Sequence, residues 1–344
     1  MEPDTSQEEV VEQLQKLLYD RGNKALTLAR KTVLDEKIES KRVRDALHYF
    51  ITDYWNDVTR PALLSLVCES VGGDPELTTP VGVSMTLIAG GIDIHDDIID
   101  ESKRKGSKFT VYGKYGKKIA LLVGDALMFK GFTLLYETLG KGITSDQIAT
   151  MSKIINQTFF ELGDAEALEL DFRNREDVTP EEYLSVIRKK AADVEAHTRI
   201  SAMLGGASSD EIEDLAEYGR ILGMLVILRD EMIDMLDPKE TIHRIKKEHL
   251  SMAILYALQN PDMKSSISNL LNQTRNLKDA DNLSLLVDAA DGYSKMNACM
   301  QSLANIAYKN IENAKYNKNY LALIIQGMLL PDWRSYLTPE ITDR

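Results

Sequence analysis

Apolar residues spaced three and four apart recur along almost the whole chain, while alternating β-branched runs bounded by turns are scarce. That period fixes the fold class, because it lines one face of a helix and no face of a strand. Only nine prolines fall among 344 residues, so little interrupts long helices. The spacing predicts helices over 6–34, 41–72, 78–102, 116–139, 145–171, 179–204, 209–236, 246–260, 264–275, 280–314 and 317–329. Breaks fall at VGGDPELTTP, KRKGSKFTVYGKYG, LGKGITSDQ, RNREDVTPEE, LGGASSDE and MLDPKETIHR. TPEEY and SSDEIE set a Thr or Ser before a helix with an acid three residues on, which satisfies the first free amides of that helix. No composition shift, flexible linker or fixed repeat divides the chain. The reading is a single all-α domain over 1–344, a large helical bundle.

Charge and cysteine content narrow the function classes. Lys and Arg total 41 against 54 Asp and Glu, a formal charge of −13, so the net basic footprint of a nucleic-acid binder is absent. Two cysteines, Cys68 and Cys299, are too few for a disulfide framework or a thiolate metal site, which suits a reducing cytoplasm. The opening MEPDTSQEEVVEQLQKLL lacks the basic start and apolar core of a signal peptide. ILGMLVIL at 221–228 stops short of the roughly 20 residues of a membrane span, so no transmembrane segment is expected.

Residues 92–101 read IDIHDDIIDE, four aspartates inside an otherwise apolar run. On a helix Asp93 with Asp97, and Asp96 with Asp100, lie one turn apart, and each such pair repels by a few tenths of a kcal/mol, about 0.2–0.5. Asp96, Asp97 and Asp100 together converge on one spot. VILRDEMIDM at 226–235 repeats the arrangement with Asp230, Glu231 and Asp234. A solvated acidic face is the plain alternative for either triplet, but the apolar flanks of both argue against it. Hard divalent cations take oxygen ligands, and magnesium binds through one or two carboxylates while keeping substrate phosphate oxygens in its shell. A bound cation would turn the repulsion into coordination, and a second cluster facing the first would trap a diphosphate between them.

These motifs carry a resemblance. In order and spacing, RPALLSLVCESVGGD, GGIDIHDDIIDES, GKKIALLVGDALM, EEYLSVIRKKAADVEA, LGGASSDEIEDLAEYGRILGM and the DExxD helix resemble the trans-prenyl diphosphate synthases of the polyprenyl synthetase family, archaeal members most of all. The resemblance implies the isoprenoid synthase fold, helices around a deep cavity, and a homodimer or a heterodimer with a related synthase. It implies a prenyltransferase that ionises an allylic prenyl diphosphate and joins it to isopentenyl diphosphate. Magnesium, or manganese in its place, would be held by Asp96, Asp100 and Asp230, assisted by Asp97, Glu231 and Asp234. Arg104, Lys105 and Lys190 match positions that grip diphosphate oxygens, and Lys190 is counted with the catalytic group.

The departures fall on one substrate. Where the family carries GGKRxRP, this chain has WNDVTRP at 55–61, keeping Arg60 and Pro61 and placing Asp57 where the lysine belongs. The loop after the first motif reads KRKG, Val226 and Ile227 replace the usual aromatic and glutamine, and a lysine downstream of the second motif aligns near His249. Three readings follow: chain elongation with an altered isopentenyl diphosphate site, a weakly active or non-catalytic subunit of a heteromeric synthase, or ionisation without condensation as in a class I terpene synthase. Product length is expected to be set one turn before the first motif. There Gly91, with Gly90 and Ala89 before it, would leave room for a long chain, close helix packing being the alternative.

Overall fold

The computed structural model describes residues 7–274 and 276–330. The first residue of the helix expected from 6, and both ends of the domain expected over 1–344, lie outside them. Within this range the chain is helical almost throughout, with one two-stranded hairpin. The first half comprises α1 (Gln7–Leu34), α2 (Lys41–His48), α3 (Thr59–Ser70), α4 (Thr78–Ile99), the strands β1 (Arg104–Lys105) and β2 (Lys108–Phe109), α5 (Val111–Tyr115), α6 (Lys117–Tyr136) and α7 (Ser145–Phe172). Then come α8 (Pro180–Lys190), α9 (Ala192–Leu204), α10 (Ser209–Leu236), α11 (Pro238–Lys247), α12 (Met252–Ala257), α13 (Lys264–Gln273), α14 (Leu277–Ala289), α15 (Gly292–Asn310) and α16 (Lys318–Met328).

Helix α3 is the centre of the bundle. Every residue from Pro61 to Cys68 is buried, the mark of a helix covered on all sides. Helices α1, α4 and α9 pack around it. The expected single helix over 41–72 is broken here, and Asp57 is the cause. α2 runs into a π-helical turn, Tyr49–Tyr54, and Trp55 is extended. Asp57 Oδ1 then accepts the amides of Thr59 at 2.9 Å and Arg60 at 3.2 Å, starting a new helix. Pro61 falls in the first turn, where its missing N–H costs nothing.

Other departures have equally local causes. MLDPKETIHR, expected as a break, is mostly α11, because Asp237 caps the Lys239 amide at 2.8 Å and Pro238 is the first helical residue. The helix expected over 280–314 is two, divided at Asp291, whose φ of 62° is left-handed. By length and composition alone the segments Pro75–Ile99 and Lys117–Tyr136 are long and apolar enough to cross a membrane, although none was expected. The first is mostly buried within the protein, and the second packs against it.

The α4–α6 contact overturns one expectation. Gly91 does not open a space for substrate: a Cβ there would lie 2.5 Å from Met128 Cγ and 2.7 Å from the Gly124 carbonyl oxygen. Its missing side chain lets α6 approach. Gly131, on the same face of α6 two turns beyond Gly124, repeats the arrangement against the Ser84 carbonyl at 2.7 Å. Gly90 is similarly closed, by Phe50 and Trp55. Gly91→Ala would gain about 1 kcal/mol of helix propensity but force two backbones apart, an overpacking that costs roughly 1–3 kcal/mol. The expected result is a lower denaturant midpoint; a stability equal to or above wild type would show that α6 yields without cost.

Candidate active site

The first acidic motif lies at the C-terminal end of α4, and the way that helix stops shapes the site. The helix ends at Ile99, with the Asp100 amide still donating to the Asp96 carbonyl at 2.9 Å. Glu101 takes a left-handed φ of 55° and Ser102 N–H returns to the Asp97 carbonyl at 2.9 Å, closing the helix as a glycine would. A non-glycine residue there is strained by roughly 1–2 kcal/mol. Two ties hold it: Glu101 pairs with Lys247 at 2.7 Å, and Ser102 Oγ meets His243 Nε2 at 3.3 Å. Both partners belong to α11, which follows the second motif, so the two acidic helices are linked through it.

The four aspartates divide by helix face. Asp97 is buried, and Lys105 Nζ lies 2.9 Å from its Oδ1 and 3.7 Å from Asp96 Oδ2. Burial pushes the Asp97 carboxyl up to about 6, against the pull of Lys105. Asp100 is pushed up further, by burial first and then by the charges of Asp96 and Glu248. Arg173 Nη2 caps the end of α4 at the Ile99 carbonyl, 3.1 Å away, and lies 3.5 Å from Asp100. Asp93, one turn before Asp97 on the same side of α4, engages Arg60 and Trp55 instead of the lysine.

Lys105 is delivered to the acids by the hairpin, in which Gly106 turns with a φ of 56°. Arg104 is not. Successive strand residues point to opposite faces, and Arg104 donates to the Ser107 carbonyl at 2.6 Å and stacks 4.0 Å above the Phe109 ring. Lys190, the last residue of α8, reaches Glu169 at 2.6 Å and Glu166 at 2.9 Å on α7. Burial alone would lower its pKa, but Glu169, Asp96 and Glu166 hold it well above the usual lysine range. Glu166, Glu169, Arg173 and Glu248 were not anticipated; the acids three apart in AEALELDF and the arginine after them were the available signal.

The second motif splits in two. Asp230 and Asp234 are half-buried, and Arg244 lies 3.3 Å from Asp234. Glu231, expected among the metal ligands, is turned into the protein and is 1% exposed. It accepts the Tyr183 hydroxyl, Arg244 Nη1 at 2.9 Å and the Met252 amide at 2.9 Å. Burial would raise its pKa, yet Arg244, His249 and the Met252 amide hold it down at about 2. His249 is buried with it, its Nε2 2.5 Å from the Tyr183 hydroxyl, and so belongs to this cluster and not to a phosphate grip.

Below the first motif lies an apolar cavity. Met85, Ile88 and Ile92 line it from α4, Ile155, Thr158 and Phe159 from α7, and Asp193, Ala196 and His197 from α9. Met85, Ile88, Ile92 and Asp96 follow one another at three and four residues, so the cavity runs along the face of α4 that ends in Asp96. Among the described residues no three side chains of His, Cys, Asp or Glu are gathered as a metal shell. The donor set nonetheless fits a hard cation: crowded carboxylate oxygens, pushed toward protonation and held by Lys105, Lys190 and Arg173.

Crowded carboxylates one helical turn beyond an apolar cavity, in a helical bundle, define a class. The polyprenyl synthetase family model matches residues 41–287, and the chain belongs to that family. It is 31% identical over 202 residues to the geranylgeranyl diphosphate synthase of Methanosarcina mazei, covering 58% of this chain and 61% of that protein. It is 27% identical over 264 residues to the geranylgeranyl diphosphate synthase of Sulfolobus acidocaldarius, covering 74% and 77%. Against the Methanosarcina protein and the short chain isoprenyl diphosphate synthase of Methanothermobacter thermautotrophicus, the match spans 61% and 64% of the relative's length. The crystal structure of geranylgeranyl pyrophosphate synthetase from Pyrococcus horikoshii superposes with a TM-score of 0.81 over 92% of this chain and 98% of that one, at 22% identity. The fold is therefore the all-α fold of these synthases.

The Glu231 cluster makes a prediction. Its folded pKa lies below the ordinary value of 4.5, so its contribution is complete above pH 4.5 and lost as pH falls toward about 2. Glu231→Gln should cost on the order of 3 kcal/mol at neutral pH, measured by urea unfolding, and the gap to wild type should close in acid. A gap that stayed constant down to pH 2 would show that packing, not charge, holds the cluster.

Proposed function

We propose that the chain is a prenyl diphosphate synthase-type transferase that ionises an allylic prenyl diphosphate and extends it with isopentenyl diphosphate. The carrying observation is the gathering of Asp96, Asp97 and Asp100 at the end of α4, beginning one turn beyond the apolar cavity that Met85, Ile88 and Ile92 of the same helix line. Asp96, Asp97, Asp100, Asp230 and Asp234 would hold magnesium, or manganese in its place. Bound there, the metal supplies Lewis-acid stabilisation of the leaving diphosphate.

The chain's own residues account for the rest. Lys105, paired with Asp97, and Lys190, paired with Glu166 and Glu169, would be the donors for diphosphate oxygens. The reading sends the prenyl tail along the apolar side chains beneath, Met85, Ile88, Ile92 and Phe159, which would shield the allylic cation from water; the space between them, about 280 Å³ including open solvent, has to widen for a long chain. The reading places the protein in the cytoplasm as one domain that pairs with a second copy or a related synthase. Leu122 and Phe129, two turns apart on α6, and Phe160 on α7 are exposed, Phe129 to 73%, and suit such a pairing. Sedimentation equilibrium tests it, and a monomer at all concentrations would exclude it.

Asp96→Asn and Asp230→Asn should each lower turnover by more than about 100-fold while circular dichroism stays that of wild type. Magnesium should raise the melting temperature of wild type and do so less in Asp96→Asn. Turnover near that of wild type in either variant would sink the reading.

A further inference from the structure

Asp57 uses its whole carboxylate on the protein itself. Oδ1 accepts the first amides of α3, from Thr59 at 2.9 Å and Arg60 at 3.2 Å, and Oδ2 accepts Arg60 Nη1 at 2.7 Å. The rest of the guanidinium is taken as well, Nε by Asp193 Oδ2 at 2.8 Å and Nη2 by Asp93 Oδ1 at 3.3 Å. Two helix-terminal amides beside a guanidinium are the donors a phosphate oxygen seeks. Here an aspartate of the chain has them. We infer that Asp57 is an internal anion that occupies a phosphate-binding donor set, and so a specificity-determining residue that holds down affinity for the second, anionic substrate.

The surroundings support this over a purely structural cap. An N-cap needs only the amides, whereas Asp57 also neutralises a guanidinium already paired with Asp93 and Asp193. Three carboxylates around one cation repel any further anion. The cage is also held apart from Asp57: Trp55 Nε1 donates to Asp93 Oδ2 at 3.0 Å, and His197 Nδ1 lies 3.4 Å from Asp193 Oδ1. Removing the Asp57 carboxylate therefore frees two amides and one guanidinium nitrogen while Arg60 stays in place. The inference rests on the proposed activity only for the natural ligand, isopentenyl diphosphate.

The test is a calorimetric titration of inorganic pyrophosphate, in metal-free buffer with chelator, into the full chain and its variants. Asp57→Ala should bind at least about tenfold more tightly than wild type. Asp57→Asn, which keeps a capping oxygen and so keeps α3 in place, should also gain. Adding Arg60→Gln to Asp57→Asn should erase the gain, separating this site from pyrophosphate held by Lys105 and Lys190. Folded Asp57→Asn that binds no better than wild type, or a gain that survives Arg60→Gln, overturns the inference. A gain in a protein that transfers no prenyl group upholds it and removes the proposed activity instead, whereas wild-type prenyl transfer with no gain removes only this inference.

Discussion

Mutual repulsion among carboxylates at the end of α4 is the constraint to which the rest of the molecule answers. Asp96, Asp97 and Asp100 share a partly buried place with Glu166, Glu169 and Glu248; Lys105, Lys190 and Arg173 stand against the first five, and Arg244 reaches Glu248 at 3.6 Å. Burial makes each uncompensated charge costlier than it would be in water. The molecule meets this by delivering cations from separate elements, a hairpin, the last turn of α8 and the end of α7. A strained Glu101 closes the helix in front of them, and its cost is borne by contacts to α11. Strain held by surrounding contacts is common where a site must keep a fixed shape.

The second motif answers a different demand. Position 231 is one residue on from Asp230, about 100° around α10 and toward the interior. With the longer reach of Glu, its carboxylate arrives among Tyr183, Arg244 and the Met252 amide, and it joins α8, α10, α11 and α12. Arg244 then serves both halves of the motif, because its other branch reaches Asp234. A side chain that reads as a ligand in the linear motif is thus the anchor that positions the cation beside the remaining acids.

The legible part of this site and the hidden part differ in physical kind. Helix class and the two acidic triplets were readable, because they depend on spacing along one chain segment, whereas Lys105 and Arg104 came together from the resemblance and only the hairpin's alternation tells them apart. Glu166, Glu169, Arg173 and Glu248 were not, since each acts across tens to over a hundred residues of sequence and reads locally as a solvated charge. Gly91 shows the same limit from the other side: a glycine in a helix signals close approach, and the sequence does not say whether a substrate or another helix approaches. WNDVTRP was legible as a departure, but its consequence, a broken helix and a caged Arg60, needed the three-dimensional positions of Asp93 and Asp193.

Asp93 makes the two halves of the site one. It stands one turn before Asp97 on α4, and the two carboxylates point along the same side of the helix, Asp93 toward Arg60 at the start of α3 and Asp97 toward Lys105 in the hairpin. Any rotation of α4 that brought Asp97 closer to a cation would move Asp93 in the guanidinium cage, and a ligand that took Arg60 from Asp93 would leave a half-buried carboxylate with Trp55 as its remaining partner. Coupling of this kind needs only a rigid helix with a charged contact at each end of one turn. The close packing of α4 on α6 through Gly91, Gly124 and Gly131 supplies the rigidity. The glycines of this contact therefore keep the Asp97–Lys105 pair and the Arg60 cage in a fixed relation.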